Sequence, residues 1–288
     1  MRAHTARQVG LLGREIPAVG LGAMPLSTAG RPDRAAAMAT VHAALDAGVG
    51  VIDTADAYCL DASDTGHNER LVGEALAGHR AAADVVVATK GGHVRGQDGS
   101  WDTDGRPEHL RRACEASLRA LDRDVIELYQ FHRPDPKVPF AESVGALAAL
   151  RHDGLIANVG LSNVDVDQIA AAQEIVPIAS VQNQLSPQFR SSLGEVRACA
   201  DLGIAFLAWS PLGGSSRAAS LDGAEPAFAE VAERHQVSPQ RVAIAWVLAQ
   251  GPTVIAIPGA RRPATFLDSF AAADLHLDEA DLRLLSRP

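Results

Sequence analysis

One pattern constrains this chain more than any other. A short apolar, β-branched run is followed by a longer stretch rich in Ala, Leu, Glu and Arg, and the pair recurs about eight times. The runs are Ala18–Gly22, Val49–Asp53, Val85–Thr89, Ile126–Phe131, Asn158–Leu161, Ile178–Gln182, Ala205–Ala208 and Val254–Ile257. Helical patterns lie between them, among them Arg34–Ala47, Pro107–Leu121, Phe140–Arg151 and Pro239–Gln250. Pro107, Pro239 and Pro263 stand at first-turn positions, and Gly48 and Gly154 mark helix exits. Strands that alternate with helices pair in parallel, because each helix returns the chain to the same end of the sheet. Eight such units favour an α/β fold of the (β/α)8 TIM-barrel kind; an open doubly wound sheet with extra strands is the alternative topology. Two pieces fall outside the repeat. Gln8–Pro17 reads as an N-terminal hairpin over the barrel's N-terminal end, and Ala224–Gln236 as an extra helix. No Gly/Ser linker interrupts residues 1–288, so they read as one domain.

Composition narrows the function classes. Hydrophobic residues make up 47% and charged residues 21%, the balance of a packed globular chain. A net charge of −9 argues against a broad nucleic-acid surface, though not against a local basic pocket. No apolar run is long enough for a bilayer, and the N-terminus lacks a signal-peptide pattern. The expectation is a cytoplasmic protein without a membrane partner, a monomer or weak homo-oligomer. Cys59, Cys114 and Cys199 are too far apart for a zinc or redox motif and read as free thiols. His67 and His93 lack metal-ligand spacing, so no metal is expected.

In a barrel, chemistry gathers at the C-terminal ends of the strands. Asp53 closes the second run and Tyr58 follows in the loop; Lys90 ends the third run and His132 the fourth. The period of two places Asp53, Lys90 and His132 toward the barrel mouth. Lys90 is one of only two lysines among 26 basic residues, and Tyr58 one of 2 tyrosines. A free phenol titrates near 10, too high for efficient acid–base work at neutral pH. A neighbouring ammonium is expected to lower it, a carboxylate to keep the ammonium charged, and an imidazole to donate to a carbonyl oxygen.

These residues resemble the aldo-keto reductase superfamily. The similarity runs through Asp53–Tyr58, Ala88–Gly92, Gln130–Asp135, Gly160–Asn163, Val181–Asn183, Ala208–Gly213 and Ile257–Arg261, in the family's order over nearly the whole chain. It implies a barrel that binds NADPH, with NADH as the other candidate, and reduces a small carbonyl substrate. No Gly-x-Gly-x-x-Gly follows a strand, in keeping with an extended cofactor outside a Rossmann domain. The resemblance makes Tyr58 the general acid, Lys90 and Asp53 its tuning groups, and His132 the residue orienting the carbonyl. It assigns the nicotinamide to Ser162, Asn163, Gln182 and Trp209, and the pyrophosphate to Ser210, Pro211, Leu212 and Gly213. Gly22, Ala23, Met24, Ile257 and Gly259 join the cofactor site. Arg261 and Arg262, before a helix start, suit a phosphate. Where many relatives carry Arg, Glu and Asn for the adenosine end, this chain has Thr265, Asp268 and Ser269. Cys59 stands where relatives commonly have Gly. The substrate is expected between 24–32, 93–106 and 214–223, against Met24, His93 and Trp101.

Two other readings remain open. A lysine at a barrel strand end also suits a class I aldolase forming a Schiff base through Lys90. A non-catalytic NADPH-binding sensor or partner subunit would share the cofactor signatures.

Overall fold

The computed structural model describes residues 6–214 and 226–286. The chain opens with an antiparallel hairpin, β1 (Gln8–Leu11) and β2 (Arg14–Pro17). Leu12 and Gly13 both adopt positive φ (51° and 76°), which turns the chain in two residues with the twist a hairpin needs. Val9, Leu11 and Ile16 bury the hairpin's apolar face. A side chain at Gly50 would begin 2.4 Å from Ile16 Cβ. Gly50 immediately precedes a barrel strand, so the hairpin covers the N-terminal end, as its sequence suggests.

The barrel strands are β3 (Leu21–Gly22), β4 (Val51–Asp53), β5 (Val86–Gly91), β8 (Ile126–Phe131), β9 (Ile156–Ser162), β10 (Ile178–Gln184), β11 (Ala205–Trp209) and β12 (Val254–Ile257). They pair in parallel in the spatial order β3-β4-β5-β8-β9-β10-β11-β12. Closure comes from the first strand region meeting the last. Gly20 N–H donates to Ala256 O at 2.8 Å, Ala256 N–H to Ala18 O at 2.9 Å, and Gly22 N–H to Pro258 O at 3.0 Å. The open-sheet alternative is thereby excluded. Several strands run past their apolar runs, β5 through Lys90 and Gly91 for example, because the ladder uses backbone groups whatever the side chain.

Ten helices lie among the described residues: α1 (Arg34–Asp46), α2 (His67–Leu76), α3 (Pro107–Leu121), α4 (Phe140–His152), α5 (Val166–Gln173), α6 (Leu193–Leu202), α7 (Pro226–His235), α8 (Pro239–Leu248), α9 (Pro263–Phe270) and α10 (Glu279–Leu285). Their starts are locally encoded. Asp33 caps α1 by accepting Ala36 N–H at 2.8 Å, and Asp165 with Gln168 forms a capping box on α5. The expected extra helix is α7; Ala224 and Glu225 lie outside the described residues. The segment after β5, read from sequence only as a loop, contains a second hairpin, β6 (His93–Arg95) and β7 (Trp101–Thr103). No helix among the described residues is long and apolar enough to cross a membrane.

The barrel interior is packed, and near its mouth the packing turns polar. Asp53, Gln130, Ser180 and Gln182 are all buried there. Gly160 makes room for two of them: a Cβ there would stand 2.4 Å from Ser180 Oγ and 2.7 Å from Gln130 Cγ.

Candidate active site

Asp53 is the last residue of β4, Lys90 sits near the end of β5, and His132 directly follows β8. Tyr58 belongs to the loop after β4, which is pinned to its neighbours. Thr54 N–H donates to Ala88 O at 2.8 Å, Thr54 Oγ1 to Asn68 Oδ1 at 2.6 Å, and Gly66 N–H to Asp56 O at 2.8 Å. The structure brings all four residues together. Lys90 Nζ donates to Asp53 Oδ2 at 2.7 Å, to Thr54 O at 2.8 Å and to Tyr58 Oη at 3.1 Å. The His132 ring stands edge-on to Tyr58, with centroids 5.5 Å apart. Asp53 Oδ1 accepts Gln182 Nε2 at 2.7 Å, so its second oxygen is also satisfied.

Burial sets the protonation states. It pulls the Lys90 ammonium down, but Asp53 and Tyr58 outweigh it, and Lys90 ends above its ordinary value. Burial pushes Tyr58 up, and the Lys90 ammonium offsets only part of this, so the phenol ends above its ordinary value. The sequence-based expectation of a lowered phenol is corrected here, because desolvation is the larger effect. Burial, reinforced by the Lys90 charge, takes His132 well below its ordinary value, so the ring is neutral. Its Nδ1 is buried without a hydrogen-bond partner.

Asp53, Tyr58 and His132 face a cavity of about 770 Å³ across the barrel mouth, with Lys90 behind them. Its wall includes Tyr58, His132, Met24, His93 and Trp101, the residues expected to meet catalysis and substrate. Ser162, Asn163, Gln182 and Trp209 also line it, as do Ser210, Pro211, Leu212, Gly22, Ile257, Gly259 and Arg261. Asn163 Nδ2 donates to His132 O at 2.9 Å, and Ser162 Oγ to Gln182 O at 2.7 Å, which ties this wall to the catalytic end. Asn163 and Ser210 hold left-handed backbone (φ 59° and 49°), a strain typical of ligand-contacting loops. Trp209 Nε1 is buried without a partner.

A sequence model of the aldo/keto reductase family matches residues 18–287. The chain belongs to the aldo/keto reductase family. It is 32% identical to pyridoxine 4-dehydrogenase of Escherichia coli, covering 94% of each chain. The structure is similar to that of the glycerol dehydrogenase of Gluconobacter oxydans (TM-score 0.83, 29% identity, 98% of this chain and 94% of that one). It is also similar to an aldo-keto reductase from Klebsiella pneumoniae in complex with NADPH (TM-score 0.81, 26% identity, 99% and 96%).

In this aldo/keto reductase Lys90 is not a nucleophile. Its side chain is fully buried, all three of its N–H donors are engaged, and its ammonium is stabilised. Schiff-base chemistry needs an accessible neutral amine, so the aldolase reading is overturned.

Other residues read from sequence fall outside the cavity wall. Ala23 is fully buried, its N–H bonded to Asp53 O at 2.8 Å, and Gly213 N–H turns back to Ser210 O at 2.9 Å. Arg262 and Thr265 are exposed at the start of α9. Asp268 accepts from Ser238 Oγ and, at 2.6 Å, from Arg241 Nη2, so its carboxylate serves the contact between α8 and α9. Ser269 is buried within the fold. Of 214–223, only Gly214 is among the described residues, and it lines the cavity.

Sequence reasoning missed a polar layer behind the tetrad. Glu69 Oε1 accepts Thr89 Oγ1 at 2.6 Å, and both residues are buried. Burial lifts Glu69 to about 7 and Asp56 well above the usual carboxylate range. No local signal marks this contact, which forms between α2 and β5. Gln130 was legible, since it shares a strand face with His132. Arg95 and Arg133, both in the cavity wall, were not singled out.

Proposed function

We propose that Tyr58 is the proton donor of an NADPH-dependent carbonyl reduction, with Lys90 and Asp53 holding its electrostatics and His132 orienting the substrate oxygen. The chain is an NAD(P)H-dependent oxidoreductase that converts aldehydes or ketones to alcohols. The observation that carries the assignment is the directed hydrogen bond from Lys90 to Tyr58. An ammonium can only donate, so the phenolic oxygen accepts and its own proton is free to point elsewhere.

The cavity suits the cofactor. Two buried ring nitrogens of wall residues, Trp209 Nε1 and His132 Nδ1, lack protein partners, and Arg261 adds a cation to the wall. Ser162, Asn163 and Gln182 would hold the nicotinamide carboxamide, Trp209 its ring, Ser210, Pro211 and Leu212 the pyrophosphate, and Arg261 a phosphate. When bound, NADPH supplies hydride to the carbonyl carbon.

Tyr58 gives its proton to the carbonyl oxygen as negative charge develops there. The Lys90 ammonium then stabilises the phenolate at 3.1 Å. Asp53 keeps the ammonium in place. The neutral His132 ring offers a hydrogen bond to the same oxygen without competing as an acid. We further read residues 1–288 as one domain, acting in the cytoplasm as a monomer or weak homo-oligomer. The three buried free thiols fit that compartment.

The test is NADPH oxidation at 340 nm with a panel of aldehydes, ketones and quinones. The wild type should turn over reactive aromatic aldehydes. Full activity of Tyr58→Phe would remove Tyr58 as the donor.

A further inference from the structure

We propose that the substrate carries an anionic group, a carboxylate or phosphate, several bonds from its carbonyl, and that Arg95 and Arg133 bind it. The inference rests on the carbonyl-reductase reading and adds the substrate class.

The first observation is charge placement. The protein has a net charge of −9, yet the described cavity wall contains three arginines, Arg95, Arg133 and Arg261. Its only carboxylate there is Asp53, already paired with Lys90 at 2.7 Å. Arg261 is accounted for at the cofactor end, donating to Ala29 O at 3.1 Å. Arg95 and Arg133 stand at the Tyr58 end, beside His93 and Trp101.

The second observation is unused hydrogen-bonding capacity. The Arg95 guanidinium lies over the Trp101 ring at 3.9 Å and donates through Nη2 to Leu60 O at 2.8 Å. Its Nε and Nη1 are buried without partners. Arg133 donates only through Nε, to His93 Nε2 at 3.2 Å, among the bonds of the described residues. Neither arginine forms an ion pair among the described residues. Acids nearby are engaged elsewhere. Asp98 accepts Ser100 Oγ at 2.6 Å, Asp61 accepts Ser63 Oγ at 2.6 Å, and Asp102 lies 3.7 Å from Lys137 Nζ. Donors removed from water without acceptors are unfavourable, and a carboxylate or phosphate completes a guanidinium fork.

The third observation sets the spacing. His93 Nδ1 faces Asp102 O at 3.2 Å while Nε2 accepts from Arg133, which fixes a neutral ring with its proton on Nδ1. Burial agrees, holding His93 down at about 4. This ring stands edge-on to His132, centroids 4.3 Å apart, and edge-on to Trp101 at 5.4 Å. Arg133 therefore lies beyond one imidazole from the residue that orients the carbonyl, and Arg95 beyond that imidazole and the Trp101 ring. A 2-oxo acid, whose carboxylate is bonded to the carbonyl carbon, is too short to reach them. A semialdehyde with a terminal acid has the reach, and Met24 and Trp101 give its stem an apolar wall.

The experiment compares kcat/KM for succinic semialdehyde and its neutral methyl ester, with NADPH at saturation. The wild type should favour the acid roughly tenfold or more, the scale of one or two charge-assisted hydrogen bonds. Arg133→Met and Arg95→Met should each shrink the acid-to-ester ratio several-fold, mainly through KM for the acid. Added salt should shrink the wild-type ratio as well. Arg133 is exposed, so its replacement reads binding rather than folding. Equal use of acid and ester by the wild type overturns the anion site and leaves the reductase reading intact. So does loss of both activities by one common factor in the variants. Turnover of neither compound, nor of any aldehyde in the panel, overturns both.

Discussion

The Lys90 ammonium donates to the Tyr58 hydroxyl at 3.1 Å, yet Tyr58 remains a weaker acid than a free tyrosine. Burial raises the phenol by more than the ammonium lowers it. In the proposed mechanism the pair keeps the phenol protonated until charge appears on the substrate oxygen. Reduction should stay flat through neutral pH and decline only in the alkaline range, beyond the value of about 10 for free tyrosine. Tyr58→Phe should lower kcat by roughly 10²–10⁴-fold with little change in cofactor affinity. A pH–rate profile and a cofactor titration check both.

Lys90→Met should do more than slow catalysis. It leaves the Asp53 carboxylate, only 3% exposed, without its ammonium. Breaking a buried pair in this way destabilises by about 3–5 kcal/mol. Asp53→Asn combined with Lys90→Met removes both charges and should recover most of the stability but none of the activity. Urea midpoints and initial rates on the wild type and the two variants separate the two effects.

Glu69 makes stability depend on pH in an identifiable direction. Burial raises it to about 7 from an ordinary 4.5, against the opposing Thr89 hydrogen bond. Between those values the folded chain keeps a proton that the unfolded chain has released. The stabilisation is present below 4.5 and is lost as pH rises through 7. Glu69→Gln cannot ionise, so it should gain on the wild type across this window, by on the order of 3 kcal/mol. Parallel stability curves at pH 5 and pH 8 would rule this out.

Gly160→Ala tests the interior packing behind the tetrad. Its methyl would stand 2.4 Å from Ser180 Oγ and 2.7 Å from Gln130 Cγ. Overpacking of this kind costs about 1–3 kcal/mol. Gln130 Nε2 also approaches Asp53 Oδ1 at 3.4 Å, so displacing it should lower kcat as well. Pairing the change with Ser180→Ala should restore part of both.

Trp209→Ala should weaken NADPH binding, roughly tenfold, by removing an aromatic wall of the cofactor cleft. Trp209→Phe keeps the ring face and should lose less. Quenching of protein fluorescence on cofactor addition, measured against the wild type, reads the difference.

The sequence by itself determined the barrel, its N-terminal hairpin and the rim on which Asp53, Lys90 and His132 meet. Those features are periodic or local: strand alternation, caps at Asp33 and Asp165, a two-residue turn at Leu12-Gly13. Tyr58 was legible because it stands close behind Asp53, near the start of the loop after β4. Only the tertiary structure decided the protonation states, since the Tyr58 shift depends on how much water the whole barrel excludes. It alone revealed Glu69 behind Thr89, Asp268 bound to Arg241, and Arg95 stacked on Trp101. Each of these pairs joins segments whose spacing carries no periodic signal. Their meeting is fixed by barrel closure and by the β6–β7 hairpin folding over the mouth.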